Sequence, residues 1–217
     1  KEEIFLSPSR VKITSWYRSG APMQVEEYHH TQLVNAEYFD HQNQLMHQVV
    51  NGKGTKLVRD VHEQVFCQEG IEGGYATHKS TFYPNGMPRM TLSLSGDMLH
   101  GEKKVFSQAG EPISTENYSA NRLHGVCTYY QNGFKYLEVE YDKGCKHGIE
   151  KHFIDGTKLI ELTHWQEGHK HGPSTVYFDD MSETKWFFNN QLVSKDKYRE
   201  LCEVTENIMI MNERTHL

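Results

Sequence analysis

Short runs of alternating apolar and polar residues, punctuated by glycine, set the character of this chain. Met90-Leu92-Leu94, Leu137-Val139-Tyr141 and, less regularly, Ile160-Leu162-Trp165 each follow a glycine. A period of two puts such side chains on one face of a β-strand. The residues between them, Glu138, Glu140 and Glu161 among them, then belong to the other face. Asn85-Gly86, Asn132-Gly133 and Asp155-Gly156 are preferred hairpin dipeptides, because both positions take positive φ cheaply. The pattern predicts paired strands joined by tight turns.

The hairpins recur. Glycine after histidine stands at Gly101, Gly125, Gly148 and Gly172, in steps of 24, 23 and 24. A second series, Gly86, Gly110, Gly133 and Gly156, steps by 24, 23 and 23, with Asp180 in the next slot. Two aromatic columns keep the same period: Phe82, Phe106, Tyr130, Phe153 and Tyr177, and Leu94, Tyr118, Tyr141 and Trp165. One hairpin cannot bury both columns, so neighbouring units must stack, and the aromatics are expected to form the core.

The pattern is worn before residue 82. Gly20, Pro22, Tyr28 and Leu33 match Gly110, Pro112, Tyr118 and Leu123 at a shift of 90. GTKLV from Gly54 matches GTKLI from Gly156. Register slips between residues 42 and 74, where an irregular hairpin or bulge is expected. After Leu192 the period stops, and Tyr198, Leu201, Cys202, Thr205, Ile208 and Met209 follow helical spacing behind Ser194 as N-cap. The division is an N-terminal cap strand (1–15), degenerate repeats (16–81), regular repeats (82–192) and a helix (193–217). The predicted fold is all-β, an elongated array of about eight stacked antiparallel hairpins with a C-terminal amphipathic capping helix.

YDKGCKHGIEKHFIDG (141–156) and WQEGHKHGPSTVYFDD (165–180) resemble the variant MORN repeat. That repeat runs aromatic, two residues, Gly, two residues, His-Gly, aromatic and Asn-Gly. The resemblance covers residues 82–192 well and 16–81 weakly. It includes bacterial proteins of the YwqK antitoxin type, which implies neutralising a toxin by binding it. Related MORN arrays serve as scaffolds and as lipid-binding modules.

Composition narrows the function classes. Formal net charge is −6, which disfavours phosphate-driven nucleic-acid binding and anionic membranes. Cys67, Cys127, Cys145 and Cys202 have no paired spacing and read as free thiols of a reducing, cytoplasmic compartment. The chain starts at Lys1 without Met, so secretion after loss of a signal stays open as the alternative.

No enzymatic signature stands out. His100, His124, His147 and His171 form one column, but units two strands apart separate them by about 9–10 Å. That gap is too wide for one zinc, so the column is structural, with histidine expected to close the turn before glycine. His164, His169 and His171 offer at most a weak cation pair. NGKGTK (51–56) fails as a phosphate loop, with His47 where the first Gly belongs and Gly54 after Lys53. No nucleophile elbow, HExxH or CxxC is present. No cofactor, metal or catalytic residue is expected. The reading is a non-enzymatic protein-binding or scaffold module, antitoxin-like or effector-like, whose surface is the face opposite the aromatics. Its candidates are Glu138, Glu140, Glu161, Lys103 and Lys151. A membrane-associated MORN array is the alternative, and a hydrolase the third. The partner's identity and the oligomeric state are not written in the sequence.

Overall fold

A computed structural model describes the backbone of residues 1–214 and the side chains of residues 1–207. Among these are nineteen β-strands and one helix. The chain divides into two units, residues 1–112 with 118–121, and residues 113–117 with 122 onward. In the first unit the strands are β1 (Glu2–Ser7), β2 (Arg10–Trp16), β3 (Pro22–His29), β4 (Gln32–Phe39) and β5 (Leu45–Val50). They continue as β6 (Lys53–Arg59), β7 (Val65–Glu72), β8 (Tyr75–Phe82), β9 (Pro88–Ser95) and β10 (Met98–Phe106). Each pairs antiparallel with its neighbour in sequence. Residues 1–15, expected as a single cap strand, form most of the β1–β2 hairpin instead.

The second unit holds the middle of β11 (Pro112–Ser119), then β12 (Arg122–Leu123), β13 (Gly125–Gln131), β14 (Phe134–Asp142) and β15 (Cys145–Ile154). After them come β16 (Lys158–Gln166), β17 (His169–Phe178), β18 (Met181–Phe188), β19 (Gln191–Val193) and α1 (Lys195–Arg214). Pairing is again antiparallel, β11 with β13 and then strand by strand to β19.

Two kinds of turn alternate. In the first, the opening N–H bonds the carbonyl four residues on, and the fourth N–H bonds back to the opening carbonyl. This five-residue loop starts at Tyr17, Asp40, Asp60, Tyr83 and Ser107, in steps of 23, 20, 23 and 24. The short step from Asp40 to Asp60 is the irregularity expected between residues 42 and 74. It leaves β5–β6 as a hairpin with six- and seven-residue strands around Asn51-Gly52.

The second kind of turn bonds sideways. Its backbone N–H reaches the same turn of the preceding hairpin: His30 to Ser9, Gly52 to Val34, Gly74 to Gly52 and Asn121 to Leu99. Gly144 to Leu123, Gly168 to Lys146 and Asn190 to Lys170 do the same in the second unit. These bonds are 2.7–3.0 Å long. Turns two strands apart on a flat sheet would stand about 9–10 Å apart, so each bond draws the strand ends together on that side.

The His-Gly marker follows directly from this pinch. Leu99, Leu123, Lys146 and Lys170, four of the seven acceptors, each precede the histidine of a His-Gly pair. There β10, β15 and β17 place three residues between successive pairs where the partner strand has one, as between Lys146 and Glu150 opposite Tyr141 and Val139. Histidine therefore does not close the turn. It sits on a wide bulge inside the next strand, where the surplus residues let that strand leave the stacked turns.

The core also departs from expectation. The aromatic columns are half-buried throughout. In the first unit the fully buried cluster is Leu33, Ala36, Tyr38, Val49, Leu57 and Ile71, within the worn repeats. The short hairpin makes it possible. Gly54 has φ +149°, and a Cβ there would lie 2.1 Å from the Gln48 carbonyl oxygen and 2.8 Å from Val49 Cα. In the second unit one row across five strands is buried: Cys127, Val139, Glu150, Thr163 and Ser174. The members of this row are small or hydrogen-bonded, and the larger rings are only half-buried. Lys146 and Lys170 lie over the Trp165 ring at 4.6 and 5.8 Å, and Lys170 over Phe187 at 5.4 Å.

The helix caps the last hairpin. Ser194 Oγ accepts from Lys197 N at 3.2 Å as the N-cap, and Asp196 follows in the first turn. Tyr198 packs its ring 5.2 Å from Trp186 and 6.3 Å from Phe188. The side chains of Ile208 and Met209, expected on the same face, lie outside the described residues.

Two outcomes follow. Gly54→Ala should cost about 3 kcal/mol, from backbone overlap added to conformational strain. Gly86→Ala, where a Cβ meets nothing within 4 Å, should cost only about 1 kcal/mol from strain. Urea melts of the two variants will compare them, and equal costs would show that the short hairpin is not the tight point. Removing the chain from Lys195 onward should lower the melting temperature and cause association through the uncovered end. An unchanged melt and a monodisperse monomer in light scattering would show that α1 is not a cap.

Candidate functional site

Register divides the five candidate residues between faces. Glu138, Lys151, Leu162, Thr175 and Thr184 lie opposite one another on successive strands and share a side. Glu140, two residues from Glu138, lies on it as well. Glu161 does not. It pairs with His152, which pairs with Leu137, on the side of the buried row. Counted back from Trp165, Thr163 and Glu161 are the inward positions, and Leu162 lies on the outer face with Lys151. The expectation that Ile160-Leu162-Trp165 would mark one face therefore fails at Leu162. Lys103, in the first unit, lies in a row with Leu92, Lys79 and Glu69, on the side that carries buried Cys67. Its ammonium is 5.7 Å from the Tyr118 ring centroid.

The three residues that remain together are already engaged. Glu138 accepts from Lys135 at 2.8 Å and faces Lys151 at 3.8 Å. Glu140 Oε2 accepts from Ile149 N at 3.3 Å, so this carboxylate closes the backbone of the bulge at Gly148. Around them the strand side is not polar. Val126 and Ile149 flank Glu140, and Tyr136 precedes Glu138 by two; they are 49%, 36% and 39% exposed. Alternation from Glu138 would have placed Tyr136 here, whereas Val126 and Ile149 required the register. Further along, the same side carries Trp186, beneath Tyr198 of α1.

Among the described residues, each unit also buries one glutamate. Glu26 is 5% exposed and accepts from Tyr38 Oη at 2.7 Å and Tyr28 Oη at 3.1 Å, with Lys56 Nζ at 3.9 Å. The Tyr38 hydroxyl is pushed far above its ordinary range by burial, then by the Glu26 charge. Glu150 is 8% exposed and is bracketed by Lys146 and, at 2.8 Å, by His152 Nε2. Burial would raise the Glu150 carboxyl, but hydrogen bonds from Lys146 and His152 outweigh it and hold the carboxyl below its ordinary value.

The histidine column has local partners. His124 Nδ1 is 3.2 Å from Asp142 Oδ1, and His171 Nδ1 is 3.1 Å from Asn189 Oδ1. Among the described residues no three His, Cys, Asp or Glu side chains converge on a metal position.

A carboxyl held below its ordinary value contributes stability that is present above the unfolded value near 4.5. That contribution disappears as pH falls through the folded value. Glu150→Gln should therefore flatten the loss of stability between about pH 5 and pH 3 relative to wild type. Urea melts across this range test it; parallel curves would mean that the Glu150 pairing adds nothing.

No protein-family model matches the chain, and no curated protein matches its sequence.

Proposed function

We propose that the chain is a non-enzymatic protein-binding or scaffold module, antitoxin-like or effector-like in the manner of the variant MORN proteins it resembles. One observation carries the reading. On one side of the second unit, apolar Val126, Tyr136 and Ile149 lie exposed among the charges of Glu138, Glu140 and Lys151. Scattered apolar residues are ordinary on a surface. Three of them around fixed charges make the mixed composition of a protein interface. The same side takes the chain's own helix against Trp186, which favours an apolar stripe of a protein segment as the occupant.

Net charge of −6 does not favour an anionic membrane, and no helix among the described residues is long and apolar enough to cross one. The cysteines are unpaired, two of them buried, which suits a reducing cytoplasmic setting.

The double variant Val126→Asp/Ile149→Asp tests the surface. Cross-linking and affinity recovery from the native cell should lose the partner that the wild-type protein retains, while the thermal melt stays unchanged. Recovery of the same partner in the same yield would exclude this face.

A further inference from the structure

The cavity between the last hairpins and the helix holds a cluster that the binding reading does not use. Its volume is about 600 Å³, and Cys202, His171, Asn189, Phe188, Glu167 and Glu206 are among its walls. Cys202 Sγ lies 4.0 Å from His171 Nε2, the outer limit of an S–H···N contact. The other ring nitrogen, Nδ1, is 3.1 Å from Asn189 Oδ1. An amide oxygen only accepts, so this bond puts the ring proton on Nδ1 and leaves the Nε2 lone pair toward the thiol. Nucleophile, base and orienting acceptor thus stand in sequence, the arrangement that activates a cysteine for attack. Long nucleophile–base contacts are usual where no substrate is bound.

Each member is fixed by the fold. Asn189 and Asn190 form the β18–β19 turn with φ of 48° and 68°. Asn190 N bonds Lys170 O at 2.9 Å, and Lys170 N bonds Asn190 Oδ1 at 2.7 Å. This doubled link seats the turn beside His171, whose ring also packs 4.8 Å from Phe188 and 5.4 Å from Tyr198. Tyr198, one helical turn before Cys202, has its hydroxyl pushed up to about 12, by burial first and then by its hydrogen bond with Cys202. It stays protonated near neutral pH and can donate to a sulfur that gains charge. Cys202 is half-buried, whereas Cys67 and Cys127 are sealed in the sheets and Cys145 is exposed.

We propose that Cys202, His171 and Asn189 form a nucleophilic thiol centre that accepts an acyl group from a small activated ester. The sulfur attacks the carbonyl carbon and forms the C–S bond as the ester C–O bond breaks. The alkoxide or phenolate departs with the electron pair. The thiol proton passes to His171 Nε2 and from there to solvent or the leaving group. Glu167 and Glu206 on the cavity wall disfavour anionic donors, so a neutral ester is the fitting class. The centre does not depend on the binding face, and the two proposals stand or fall separately.

The full chain is treated with p-nitrophenyl acetate, and acylation of each cysteine is followed by peptide mass spectrometry across pH, with exposed Cys145 as internal control. Cys202 should react about 10-fold faster than Cys145 near neutral pH, and its rate profile should differ in shape from that of Cys145. His171→Gln should slow Cys202 by about 100-fold and bring its profile onto that of Cys145. Asn189→Gly keeps the positive φ of the turn, removes the acceptor, and should also slow Cys202 and move its profile upward. If either variant melts early, the wild-type profile alone decides. A Cys202 that reacts no faster than Cys145, or whose profile coincides with that of Cys145, overturns the centre. An unchanged Cys202 rate in both folded variants overturns it equally.

Discussion

The bond on which both units depend runs from turn to turn. In seven of these second turns a backbone N–H leaves its own hairpin and reaches the hairpin before it. Strand pairing alone would hold those turns apart by two strand widths. Drawing them together at one end forces surplus chain somewhere, and the wide bulges at His-Gly supply it. Repeat length, bulge and marker dipeptide are then one constraint seen three ways. A hairpin that arrives too late cannot place its N–H.

What is buried differs between the units. The innermost row of the second unit is Cys127, Val139, Glu150, Thr163 and Ser174, with no large ring among them, whereas the first unit buries Tyr38. Thr163 and Ser174 satisfy each other at 2.8 Å. A carboxylate so placed would be costly alone, because burial disfavours its charge. Glu150 is tolerated because Lys146 and His152 reach it from its own strand. Glu26 is tolerated because two tyrosine hydroxyls and Lys56 converge on it. The half-buried rings then cover these pairs, and lysine ammonium groups cover the rings.

Much of this was legible in the chain. Glycine spacing revealed the hairpins and their period, and helical spacing with Ser194 revealed the terminal cap. The reason is that turns and caps are local, written in a few adjacent residues. What depended on register was not legible. Glu161 reads as outward by alternation from Leu162, yet the bulges count it inward from Trp165. Residues 16–81 look worn because their turns lost the marker residues, yet they hold the fully buried aliphatic cluster. Packing there rests on one hairpin being short, which appears in sequence only as a gap in the period. The Cys202–His171–Asn189 grouping spans 31 residues from His171 to Cys202 and was invisible to any motif with fixed spacing. It could be suspected only by asking which column histidine the terminal helix would cover.

The sideways bond also bears on how such a chain can change length. In the second unit each turn from Gly144 onward needs only a carbonyl in the turn before it, and any unit of the same span provides one. Duplicating or losing one segment of 23 or 24 residues there would restore every bond and return the same face to α1. The three-residue deficit between Asp40 and Asp60 admits no such exchange, because there Gly52 alone both donates to Val34 and accepts from Gly74, a compact link that a unit of standard span does not reproduce. Repeat number is thus a free variable in the second unit and a fixed one around Gly52 in the first. Descendants of this chain should differ in length by whole hairpins downstream of residue 125, and hardly at all around Gly52.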